Sequence, residues 1–139
     1  MREVKFTVPG KPQGKARAKT YHTNGITRTV TPGKTVLYEN FIKERFIQTA
    51  DGFFVEKGNP VHVTVNVSFT PPKNTSKKRY AQMLKGEIPP LKKPDADNIV
   101  KVVCDALNGV AYHDDSQVIF VACAKRYSAT EGLEITLLG

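Results

Sequence analysis

Cysteine is scarce in this chain. The two cysteines, Cys104 and Cys123, belong to no CxxC or Cys/His spacing and stand among apolar neighbours. Buried, reduced thiols are expected, and neither a disulfide framework nor a structural zinc site fits. Long apolar runs are missing too: nothing approaches the roughly 20 residues that cross a bilayer. The N-terminal MREVKFTVPG lacks the apolar segment of a signal peptide, so a cytoplasmic protein without a membrane partner is expected. There is no internal repeat and no low-complexity tract, and 139 residues suit a single domain, 1–139. Acid is absent from one whole stretch, residues 10–34, which carries six bases.

What is present is uneven charge. The chain has 21 Lys and Arg against 13 Asp and Glu, for a net charge of +8. Five of the acids (Asp95, Asp97, Asp105, Asp114 and Asp115) lie within a segment whose one base is Lys101, leaving 20 bases against 8 acids elsewhere. A basic body suggests a polyanionic partner, and a compact acidic island within it suggests a site with its own chemistry.

Hydrophobic periodicity supplies the elements. Val4, Phe6 and Val8 alternate with polar residues as in a half-buried strand, and Val61 through Phe69 does so more clearly, ending at Pro71-Pro72. Residues 10–34 are too polar to pack and read as a long basic loop or a loose hairpin about Asn24-Gly25. Thr35 to Asp51 predicts an amphipathic helix stopped by Gly52, and Thr75 to Lys85 a short basic one. Asp97 to Leu107 predicts a third helix, stopped by Asn108-Gly109. Val118 to Arg126 and Leu133 to Leu138 read as strands joined in a hairpin through Ser128–Gly132. Irregular alternation of strands and helices predicts an α+β fold.

The helix from Asp97 is unusual. At 100° per residue, Asp97, Asn98, Lys101, Asp105 and Asn108 share a 100° arc, while apolar residues fill the remaining 260°. Such a helix should be buried on several sides, its polar stripe lining a groove. Taken singly, Asp95 or Asp97 reads as an ordinary N-cap and Asp114-Asp115 as a turn. Taken together, carboxylates gathered in one place repel one another unless a cation relieves them, and Mg²⁺ is the natural hard cation for such ligands. The seven residues from Asn108 to Asp115 span up to ~23 Å, enough to double back along a helix ~16 Å long.

The segment KPDADNIVKVVCDALNGVAYHDDSQV resembles the signature of the RusA family of Holliday junction resolvases, small endonucleases found in bacteria and often in prophages. The shared elements are Asp-x-Asp-Asn, a Lys four residues after the second Asp, Asp-Ala-Leu, and Asp-Asp-x-Gln-Val. GKPQGKARAKT and TPGKTVLYENF are similar to the basic loop and first helix of phage-type members, although the loop is longer than in short members. The resemblance implies a mixed β-sheet packed against a few helices, a two-fold dimer, and a Mg²⁺-dependent enzyme in which Mn²⁺ can substitute. It implies that Asp95, Asp97 and Asp115 hold metal and act in catalysis with Lys101, with Asp114, Asp105 and Asn98 in support. The implied partner is branched DNA, the four-way Holliday junction, resolved by paired phosphodiester hydrolysis in recombination and repair.

The residues suit that chemistry. Phosphodiester hydrolysis needs an activated water, neutralised non-bridging oxygens and a stabilised leaving oxygen. The basic segments 10–34 (Lys11, Lys15, Arg17, Lys19) and 73–93 (Lys77, Lys78, Arg79) are candidates for gripping phosphates around a negative site. Other readings stay open: a plain ion pair of Lys101 with Asp97 or Asp105, a bystander His113, a nuclease for forks or flaps, a sugar-nucleotide transferase using its DxD, and a nonenzymatic DNA- or RNA-binding module.

Overall fold

The computed structural model describes residues 1–139. In chain order the elements are β1 (Glu3–Pro9), β2 (Lys19–Thr23), β3 (Ile26–Val30), α1 (Gly33–Ala50), β4 (Val61–Phe69), α2 (Lys77–Leu84), α3 (Ala96–Leu107), β5 (Val118–Tyr127) and β6 (Gly132–Leu138). A single 3₁₀ turn, Asp115–Gln117, precedes β5. The fold is α+β, with one mixed four-stranded sheet and a separate two-stranded hairpin.

The sheet runs β1-β6-β4-β5, antiparallel except for the β4–β5 pair. Its register stacks apolar residues in three rows across the strands: Val4–Leu137–Val63, Phe6–Ile135–Val65 and Val8–Leu133–Val67. All nine are buried, because period-2 alternation turns them to one face while Lys5, Thr7, Thr64 and Thr136 take the other. Helix α1 covers β1 with Thr35, Tyr38, Ile42, Phe46 and Ala50, spaced three or four apart. Its Phe46 ring meets Phe6 edge-on at 5.7 Å and Phe53 at 6.3 Å. Helix α3 packs against α1 and β5 and buries Ile99, Val102, Val103, Cys104, Ala106 and Leu107.

Of the two readings for residues 10–34 the hairpin holds, and two other expectations are adjusted. Residues 19–30 form the hairpin, with Asn24 and Gly25 both at positive φ, and every residue in its strands is exposed. Strands β5 and β6 do not pair with each other: β4 lies between them, because β4 is apolar along one whole side and takes the sheet's interior position. That leaves β5 as an edge, exposing Ile119, Phe120 and Val121 and only half burying Cys123, which pairs with Val65 across the strands. On α1, Val36 and Ile47 face outward. No helix is long and apolar enough to cross a membrane.

Ile135 sits at the centre of the middle row with no exposed surface. Ile135→Ala should destabilise the protein by about 2–5 kcal/mol, through lost burial and a cavity that the two flanking strands cannot close. A urea titration reads the difference, and a loss below about 1 kcal/mol would contradict this packing.

Candidate active site

Helix α3 sets the geometry. With most of its circumference buried, it presents Asp97, Asn98, Lys101 and Asp105 on one stripe beside the returning 114–117 turn. The stripe lies at the surface rather than deep in a groove: the Lys101 side chain is 59% exposed and Asp97 is exposed as well. Asp95 takes the N-cap position in extended conformation, yet its carboxylate caps nothing and instead accepts from Lys93 Nζ at 2.9 Å. Asp97 falls in the first helical turn, where the unpaired N–H groups favour negative charge.

Asp105 is closed by lysines on both oxygens. Lys101 Nζ donates to its Oδ1 at 3.0 Å, one turn away on the same helix, and Lys15 Nζ pairs with its Oδ2 at 3.1 Å. Lys15 also donates to Glu39 Oε1 of α1 at 3.1 Å. Burial opposes the Lys15 charge, but hydrogen bonds and attraction from Glu39 and Asp105 prevail and raise its pKa. The Asp105 hydrogen bond and its charge raise the Lys101 pKa, with a further contribution from Asp115. The 115–117 turn packs beside α3, and the Asp115 charge contributes to the field at Lys101.

That return is fixed by two residues. The Tyr112 hydroxyl, buried, donates to the Cys104 carbonyl at 2.7 Å. Burial pushes the Tyr112 phenol pKa well up, so it stays a donor throughout the physiological range. Gln117 then binds four backbone groups: its Oε1 accepts from Asp114 N at 2.8 Å, and its Nε2 donates to the carbonyls of Val55, Glu56 and Asn59 at 3.3, 2.8 and 3.0 Å. Asp114 completes a capping box by accepting from Ser116 N at 3.1 Å, and these Ser116 hydrogen bonds lower its carboxyl pKa. Asp114 is therefore engaged in holding the turn, while Asp115 beside it accepts no side-chain bond and forms no ion pair.

No three acidic, His or Cys side chains already form a cluster around a common point. Asp97 and Asp115 are carboxylates without ion pairs, Asp95 is held only by an exposed Lys93, and Asp105 is occupied on both sides. The donor chemistry of these carboxylates suits a hard divalent cation.

The bases expected to contact DNA divide into groups. Lys11, Lys19, Lys34 and Lys93 line a cleft of about 520 Å³ beside the acidic stripe, together with Gln13 and Pro94. Arg17 is exposed at the rim of the arm. Lys77, Lys78 and Arg79 are exposed on α2, which packs on β5 with Met83 as its buried anchor. Of these bases, Lys93 is paired with Asp95, and Lys15 is drawn into two ion pairs, with Glu39 and Asp105. Asn98 contributes its backbone, its carbonyl accepting from Lys15 N at 2.9 Å. His113 is exposed beside Asp114.

Two residues of this site carried no role in the sequence reading. Glu39 lies four residues after buried Thr35 and three before buried Ile42, a spacing that already places an acid beside the helix's inward face. Gln117 is the Gln of Asp-Asp-x-Gln-Val, and only the positions of the carbonyls it binds reveal its work.

A family model described as "Endodeoxyribonuclease RusA" matches residues 9–138. A Bacillus subtilis (strain 168) protein named "Uncharacterized protein YqaN" is 34% identical over 136 residues, covering 96% of this chain and 94% of that protein.

Gln117→Leu keeps the side-chain volume and removes all four hydrogen bonds. A loss of roughly 1–3 kcal/mol in urea unfolding is expected, since some of the freed backbone groups can turn to water. Unchanged stability would mean that the 114–117 turn is held by something else.

Proposed function

The chain belongs to the RusA endodeoxyribonuclease family, and from that premise we propose that it is a metal-dependent endonuclease that resolves four-way DNA junctions. The observation that carries this reading is the adjacency of two opposite surfaces: open carboxylates on and beside α3, and a cleft lined by Lys11, Lys19, Lys34 and Lys93. A negative site alone would repel DNA. The lysine cleft offers phosphates a continuous cationic path to it.

Asp95, Asp97 and Asp115 are the residues that would hold Mg²⁺ or Mn²⁺. Bound there, the cation supplies Lewis acidity toward the phosphate and an activated water. Lys101 is an ammonium whose pKa Asp105 raises further, and its exposed end is free to neutralise charge building on the scissile phosphate. The cleft lysines and Arg17 fix the strand, and Lys77, Lys78 and Arg79 extend the grip from α2. A four-way junction has two-fold symmetry, so paired incision calls for two equivalent sites, and a two-fold dimer answers that need. The setting is DNA recombination and repair within the cell.

The experiment is a panel of synthetic four-way junctions, forks, flaps and linear duplexes incubated with the protein in Mg²⁺, in Ca²⁺ and in EDTA. Paired, symmetric incision of the four-way junction is expected in Mg²⁺ alone, with binding but little cleavage in Ca²⁺, whose larger and looser coordination positions water poorly. Turnover in EDTA would overturn the metal mechanism. Binding without cleavage under every condition would favour the nonenzymatic nucleic-acid module. Preferential cutting of flaps or forks would reassign the substrate.

A further inference from the structure

The basic arm reaches the acidic stripe at one point, Lys15, and three features fix it there. Gly14 leaves no room for a side chain: a Cβ would lie 2.9 Å from Asn98 Cβ and 3.1 Å from Pro94 Cβ. Its φ is not in the left-handed region, so close approach rather than backbone freedom makes glycine necessary. This approach allows Lys15 N to donate to the Asn98 carbonyl at 2.9 Å, and Ala16 N to reach Thr35 Oγ1 at 3.4 Å. The strap from Pro12 to Ala16 thus crosses the start of α3 and stops against α1, while the hairpin beyond it stays exposed.

From this position Lys15 completes a row of alternating charge, Glu39–Lys15–Asp105–Lys101, with successive separations of 3.1, 3.1 and 3.0 Å. The first three side chains are only 17%, 23% and 19% exposed, whereas Lys101 at the end is 59% exposed. The inner members are fixed and the outer one is presented. Without Lys15, two half-buried carboxylates would share the space with no cation between them. Asp105 would then be free to turn its second oxygen toward Lys101 or toward an arriving cation.

We infer that Lys15 is a positioning residue: with Glu39 behind it, it fixes the Asp105 carboxylate, which in turn sets the reach of Lys101 toward the reacting phosphate. This rests on the nuclease reading above and removes Lys15 from the DNA grip, where its place in the basic arm would otherwise put it. Physically, it ties the segment that holds DNA to the group that serves the chemistry through a single ammonium.

The test compares Lys15→Met, Lys15→Arg and the exchange Lys15→Glu with Glu39→Lys on a four-way junction. Lys15→Met should lower the single-turnover rate at saturating protein roughly 10- to 100-fold, the range for loss of a supporting group. The salt slope of junction binding in Ca²⁺ should stay at its wild-type value, whereas Arg17→Gln should reduce that slope by about one unit. Lys15→Arg, which still spans two carboxylates, should recover most of the rate. The exchange restores the bridge from the strap to α1 but sets a glutamate against Asp105, so it should not recover.

Recovery by the exchange would make Lys15 a tether only and overturn the inference. So would a Lys15→Met slope lowered by about one unit with the saturated rate intact, the behaviour of a phosphate contact. If the wild-type protein cuts no branched DNA, the nuclease reading fails, and positioning is read without substrate from the Lys101 ammonium ¹⁵N resonance. That resonance should move in Lys15→Met and return in Lys15→Arg. A Lys101 resonance indifferent to residue 15 overturns the inference whatever the activity.

Discussion

Helix α3 cannot turn, and the rest of the site depends on that. Ile99, Val102, Val103, Ala106 and Leu107 are buried against α1 and the sheet, so any rotation would expose several of them at once. Each full exposure of the Ile, Val or Leu side chains among them would cost about 1.5–3 kcal/mol. Its polar residues are thereby confined to one narrow stripe. Tyr112 pins the helix's far end through the Cys104 carbonyl, and Gln117 pins the returning turn to the backbone near Val55 and Asn59. Asp97 lies on that rigid element, and Asp115 lies in the turn that packs beside it.

Within that frame the acids do different work. Asp114 caps a turn, Asp105 is clasped between two lysines, and Asp95 exchanges its capping role for an ion pair with Lys93. Asp97 and Asp115 keep their charge uncommitted. A protein that closed all five would have no use for the repulsion they create, and one that left all five open would pay for it in stability. The same ion pair that closes Asp105 holds Lys101 along the stripe and raises its pKa.

Much of this was legible in the sequence because it follows from short-range periodicity. The alternation of Val61 to Phe69 marks both bounds of β4, and the wheel of α3 separates its stripe from its buried face without reference to any other element. Asn24-Gly25 announces its turn through the positive φ both residues adopt. The failures are non-local. Nothing in Val118–Tyr127 says that it will lie beside β4 rather than β6, since its neighbours in sequence do not decide its neighbours in the sheet. Lys15 reads as one more base in an unopposed basic run, because its partners Glu39 and Asp105 stand 24 and 90 positions away. Counting charges along the chain marks the acidic segment but cannot distinguish the carboxylates that lysines have already claimed.

That distinction between open and closed carboxylates is the centre of the account, and single-turnover junction cleavage in Mg²⁺ by three isosteric variants tests it most directly. Asp97→Asn and Asp115→Asn each remove an uncommitted charge and should reduce cleavage by at least about 10³-fold, as expected for loss of a ligand whose cation carries the chemistry. Asp105→Asn leaves one acceptor oxygen, for Lys15 or for Lys101 but not both, removes no ligand, and should retain a measurable rate, lower by roughly 10- to 100-fold. Full loss in Asp105→Asn together with near wild-type cleavage in Asp97→Asn or Asp115→Asn would contradict it.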